Sequence, residues 1–200
     1  MKKLIPFIVL TALVCTSCQY GKDRFIADIK INDTYDVNKT GPFTNAGNID
    51  LSLVRANTNI PYDATIEEVN IEAISVKVII SSDNVATAVS LSGKLRQGST
   101  NIEVFNNFPA ALSGVDFPEI GLNSLIEAGV DGIKSKISNY LMGTDTTPLN
   151  FDLSGDSSPL GGQRMHIQIQ LKITGSVKYA QCVEMPIFIS GESCRPMPHY

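Results

Sequence analysis

The 200-residue chain has no tryptophan and only two histidines, His166 and His199. Without tryptophan it lacks the side chain that glycan-binding modules most often expose as a platform. Tyr20, Tyr35, Phe43 and Tyr62 fall in segments that read as tether or loop, where aromatics more simply tuck against the domain edge. The two histidines form no His-x-x-x-His or His-Glu pair, so the usual zinc ligand sets are missing. His166 reads as a solvated position on the polar face of a strand. There is no G-x-S-x-G elbow, no P-loop and no dinucleotide fingerprint; Leu160-Gly161-Gly162 reads as a turn. Glu67 and Glu68 are adjacent, so a strand sends them to opposite faces, poor geometry for an acid–base pair. Asp152 and Asp156, with nearby serines, could bind calcium in a loop, but their spacing does not match an EF-hand. These absences lead to the expectation of a non-enzyme with no cofactor and no metal.

Also missing are low-complexity tracts, internal repeats and any apolar run of the roughly 20 residues that a membrane helix needs. What is present begins at the N-terminus. Lys2 and Lys3 precede an almost wholly apolar run from Leu4 to Val14, which has the length of a signal-peptide core. Thr16 and Ser17 then lead into Cys18. The stretch Cys15-Thr16-Ser17-Cys18 resembles the lipobox of bacterial lipoproteins, with Cys15 standing where such boxes usually carry leucine. The resemblance covers residues 1–18 only. It implies cleavage before Cys18, acylation of Cys18, and a chain held on the bacterial cell envelope at its periplasmic or cell-surface face. Each buried acyl methylene contributes about 0.8 kcal/mol, and firm anchoring takes more than one chain. The expected organisation is a signal peptide over 1–17, a lipidated polar tether over 18–24, and a single domain over 25–200.

Without residues 1–17 the chain keeps 14 basic and 20 acidic residues, a net charge of −6 that argues against a nucleic-acid partner. Of the cysteines, only Cys182 and Cys194 then remain unassigned. In an exported chain such a pair is expected to form a disulfide, and this one closes a ring over the Pro-containing C-terminal segment.

Period-two alternation dominates. It marks Phe25–Asn32, Ile49–Ala56, Val69–Ile80, Val85–Arg96, Asn101–Phe105, Leu149–Leu153, Met165–Ile173 and a final pair, VKYAQCV with PIFIS. The phase slips at Ala73-Ile74, as a β-bulge would produce. Residues 33–48 read as a long polar loop, 81–84 as a hairpin loop and 96–101 as a turn. Between Leu122 and Leu141 the apolar spacing changes to three and four, the mark of an amphipathic helix. Ser124 and Glu127 form a capping-box pattern and Gly143 is placed to end the helix. Gly129 and Gly132 weaken it, at positions suited to close approach to a sheet.

The expected fold is mainly β (α+β): an antiparallel β-rich domain or β-sandwich of about eight strands, with one long helix near 124–142. The helix either covers an apolar sheet face or serves as a crossover. Two functions follow. The first is a structural or protein-interaction module of the envelope, using edge strands or the 33–48 segment. The alternative is a binding module for an apolar or lipid-like ligand held between helix and sheet, by Leu125, Ile126, Val130, Ile133 and Ile137.

Overall fold

The structure, a computed structural model, describes residues 18–112, 116–157, 162–186 and 192–195. Cys15, His199 and most of PIFIS lie outside them.

β1 spans Cys18–Thr40 and β2 Phe43–Ile49. The expected tether, 19–24, is therefore already strand, and so is most of the expected 33–48 loop. The reason lies on one face: Ile29, Ile31, Tyr35, Val37, Phe43 and Ile49 are all buried. The Asp, Asn and Thr residues between Tyr35 and Ile49 hide this alternation, but they sit mainly on the solvent side. Gly41, at φ +79°, supplies the left-handed residue of the turn.

IDLSLVRA is not a strand: it gives a short helix, α1, over Ser52–Thr58. The Asp50 carboxylate accepts the Ser52 amide at 2.8 Å and its hydroxyl at 2.7 Å, which bends the chain into a turn. Leu51 and Val54, three apart, are buried, whereas Leu53 is 60% exposed. Helical spacing thus wins over alternation.

β3 runs over Thr65–Ile80. Its register with the last strand shifts between Ile71 and Ala73, the expected slip, and again between Ile66 and Glu68. After the first shift Ile74, Val76 and Val78 are fully buried. Gly175 lies opposite Ile71, where a Cβ would come within 3.0 Å of the Asn70 carbonyl carbon. Residues 81–84 do not close a hairpin. They carry the chain to the other sheet, held by Ser81 N–H to the His166 carbonyl, 3.0 Å, and Val85 N–H to the Arg164 carbonyl, 3.1 Å. β4, Ala88–Gln97, and β5, Thr100–Ala111, do form a hairpin at the expected turn, with Gly98 at φ +60°.

β6 is Phe117–Gly121, α2 is Glu127–Leu141, β7 is Leu149–Asp156, and β8 is Arg164–Pro186. β8 joins MHIQIQLKI and VKYAQCV into one 23-residue strand, where two were expected. Met165, Ile167, Ile169, Leu171, Ile173 and Val177 keep one buried face across the supposed break.

The strands form two four-stranded sheets, β1-β8-β3-β6 and β2-β7-β4-β5, with every pairing antiparallel. One long ribbon, pairing β1 with β8, β2 with β7, β3 with β6 and β4 with β5, produces this order when it wraps around a core. That is the eight-stranded jelly roll.

Two short helices replace the one long helix expected. α2 has 15 residues, about 22 Å, against the 27 Å expected of residues 125–142. The Ser124–Glu127 capping box does not form. Ile126 is the extended N-cap without a side-chain cap, and its amide donates to the Val104 carbonyl at 2.8 Å. Gly143, at φ +72°, ends the helix as expected. Gly129, Ile133, Ile137 and Leu141 make its buried stripe. The helix touches β3 of one sheet and β5 of the other, so it is a crossover wedged at the sandwich rather than a cover over one sheet face. Gly129 allows this: a Cβ there would lie 2.6 Å from Val104 Cα.

Candidate functional site

Cys18 is the first residue of β1, paired across the sheet with Pro186. The next residues are bonded to a second segment as well. The Lys22 amide donates to the Glu192 carbonyl at 2.8 Å, the Cys194 amide to the Tyr20 carbonyl at 3.3 Å, and Gly21 makes a bridge with Ser193. Cys182 and Cys194 form a disulfide, as expected, with Cα atoms 5.9 Å apart. Cys182 pairs with Lys22, so the cross-link lies beside the same few residues. Lys22 and Glu192 add an exposed ion pair at 3.4 Å. Tyr20 is 46% exposed here. The segment expected to be a polar tether is bonded on both sides, to β8 and to 192–194, a fact that long-range pairing alone reveals.

At the opposite end of the sheet, His166 Nδ1 lies 2.5 Å from Asp83, which also meets Arg164 at 3.1 Å. Arg164 in turn donates to Asn38. The hydrogen bond from His166 is the main cause holding the Asp83 carboxyl below its ordinary range. Each of these groups is satisfied by its neighbours, and the cluster includes no nucleophile.

Where β1 of one sheet meets β2 and β7 of the other lies a polar cluster that sequence reading missed. Tyr35, 4% exposed, donates its hydroxyl to the Phe151 carbonyl at 3.2 Å. Asp33 Oδ2 is buried beside it. Burial first, then the neighbouring Asp33 carboxylate through hydrogen bonding and charge, and last the charge of Asp152, push the phenol well above its ordinary pKa. Arg96 Nη2 faces Asp152 Oδ1 at 3.4 Å, an ion pair without an aligned hydrogen bond. Gly47 makes room for the cluster, since a Cβ would lie 2.8 Å from Asp33 Oδ2. The buried phenol ties β1 of one sheet to β7 of the other through its hydrogen bond to Phe151.

Asp152 is thus a strand residue turned toward Arg96, not a calcium loop ligand, and Asp156 ends β7. Among the described residues no cluster of three or more acidic, histidine or cysteine side chains could hold a metal. Glu67 pairs with Arg24 at 2.9 Å and Glu68 with Lys178 at 3.0 Å. Tyr35 and Phe43 are core residues, whereas Tyr62 is 89% exposed, with the Arg55 guanidinium 4.5 Å from its ring centre.

Of the five apolar residues expected to hold a ligand, Leu125 and Ile126 precede α2, whereas Ile133 and Ile137 lie on it, completely buried in the main core. Leu125, Ile126 and Val130 are half-buried. The described grooves lie elsewhere. One of about 410 Å³ runs between β1 and α1 past Lys30, Asp33, Asn48 and Asn57. One of about 380 Å³ follows the polar side of α2, past Arg96, Gln97, Lys136 and Asp145. A third, about 280 Å³, is lined by Lys77, Glu119, Gln170 and Lys172. None of the five residues lines any of these three grooves.

No family model matches the chain, and no curated protein matches its sequence. Solved structures similar to it include the decameric BFDV capsid protein, at 11% identity and TM-score 0.39, covering 80% of this chain and 100% of that one. The 60-mer of that capsid protein gives 10% identity and TM-score 0.37, covering 80% and 95%. The infectious bursal disease virus Gx strain gives 12% identity and TM-score 0.28, covering 84% of this chain and 37% of that one. Superpositions this loose carry no argument about function.

Proposed function

We propose that this chain is a non-catalytic interaction module, exported and held on the bacterial cell envelope by acyl chains on Cys18. The observation that carries this reading is the Cys182–Cys194 disulfide, beside the first residues of β1. Such a cross-link persists in oxidising compartments outside the cytosol, which is where the leader's apolar core and Cys18 would send the chain. The alternative, an apolar ligand between helix and sheet, would have to displace Ile133 and Ile137 from a filled core.

The test is mass spectrometry of the full chain recovered from bacterial membranes. The expected product is an N-terminal fragment that begins at Cys18 and carries acyl chains, with a Cys18→Ser variant released from the membrane. An unacylated mature N-terminus elsewhere would overturn the reading.

A further inference from the structure

We infer that the acylated chain stands upright on its membrane, with the β1–β8 end as a rigid foot on the lipid surface and the sandwich held clear of it. The inference rests on the proposed acylation of Cys18 and adds an orientation to it.

Three observations carry it. First, no flexible residue separates Cys18 from the fold: Cys18, Gln19 and Tyr20 already pair with Pro186, Met185 and Glu184. Second, the 192–195 segment bonds the backbone of Tyr20 and Lys22, and the disulfide ties that segment to β8. A pull on Cys18 is therefore taken up by strand hydrogen bonds and a covalent link. Third, the two sheets differ in length. The second sheet stops at Ile49 and Leu149, two residues past the contact of Tyr35 with Phe151. β1 and β8 continue together from Lys30 and Thr174 to Cys18 and Pro186. That stretch is about 40 Å of strand contour.

The chemistry of the foot fits a headgroup layer. Tyr20 is half exposed two residues from Cys18, and tyrosine is favoured at membrane–water interfaces. Phe25 stacks on Tyr179 with ring centres 5.5 Å apart, which stiffens the ribbon above it. The far end, with the 41–42 turn and the Asp83–His166–Arg164 cluster, becomes the surface offered to partners.

The test uses the full acylated chain in vesicles with an energy acceptor in the headgroups. Single donor labels are placed through Ser82→Cys at the far end and Glu184→Cys at the foot. Strong transfer from position 184 and near-complete loss of transfer at position 82 is the expected result. A short Gly/Ser insertion between Gln19 and Tyr20 should make the two positions alike. Equal transfer without the insertion, with mass spectrometry confirming acyl chains on Cys18, overturns the orientation alone. Acyl chains absent from Cys18 overturn the anchoring and the orientation together. An unequal signal that survives the insertion shows that something other than the rigid strand sets the pose, and overturns the inference.

Discussion

Tyr35 shows how a single residue can be placed wrongly by its neighbours in sequence and rightly by its neighbours in space. Flanked by Thr34 and Asp36 it looks like loop, yet its ring is core and its hydroxyl spans the sheets to Phe151. Tyr35→Phe should lower stability by about 1–2 kcal/mol, the worth of a buried hydrogen bond whose acceptor is left unsatisfied, read from the urea midpoint. The pH dependence has a definite sign. The folded-state pKa of the phenol is raised, so its stabilisation is complete below about pH 10 and lost as pH climbs above that value. Alkaline titration followed by tyrosinate absorbance should show Tyr35 ionising only as the chain unfolds, and the Phe variant should lose that part of the alkaline decline. A Tyr35 signal appearing at ordinary pH in folded protein would contradict the burial. Asp33 and Tyr35 share a face of β1, but nothing in the sequence marks Asp152 as their neighbour, because β7 belongs to the other sheet.

At the scale of elements, α2 offers a sharp pair of substitutions. Alanine in a helix interior is worth roughly 1 kcal/mol over glycine. At Gly132 a new methyl meets the tip of the Leu95 side chain at 2.6 Å, which can turn aside, so Gly132→Ala should be neutral or stabilising by up to about 1 kcal/mol. At Gly129 the methyl would meet the β5 backbone, 2.6 Å from Val104 Cα, which cannot. Gly129→Ala should destabilise by about 1–3 kcal/mol despite its better propensity, as overpacking does. Thermal unfolding of the two variants should move in different directions. From within α2, Lys136 bonds Asp145 beyond the helix end at 2.6 Å and also Thr147. The Lys136 contact is the main cause holding the Asp145 carboxyl far below its ordinary range. This stabilisation is present above about pH 4 and lost as pH falls further, so Asp145→Asn should flatten the acid limb of the melting temperature against pH. Strand existence was legible wherever apolar residues alternated cleanly, as in β4, β8 and the bulged β3. It was not legible where polar residues and glycine interrupt the alternation, as in β2, nor where Asp50 and Ser52 started a helix inside an alternating run.

For the whole molecule, the antiparallel sandwich and the disulfide were readable from period and cysteine count. The strand order was not, because among the described strands only β4 and β5 pair with a neighbour in sequence. Opening the Cys182–Cys194 ring by replacing both residues with serine should cost about 3 kcal/mol by the loop-entropy argument, measured as a denaturant shift against the oxidised chain. The same reordering has a consequence for how the protein is made. β8 lies between β1 and β3, so the first strand synthesised finds its partner only when residues 164–186 exist. Until then the longer sheet has no middle. Closing contacts this distant is slow, and a chain lacking its last strand stays open. A chain built this way has its longer sheet in two unjoined halves until β8 is made, and only then does β1 gain its place.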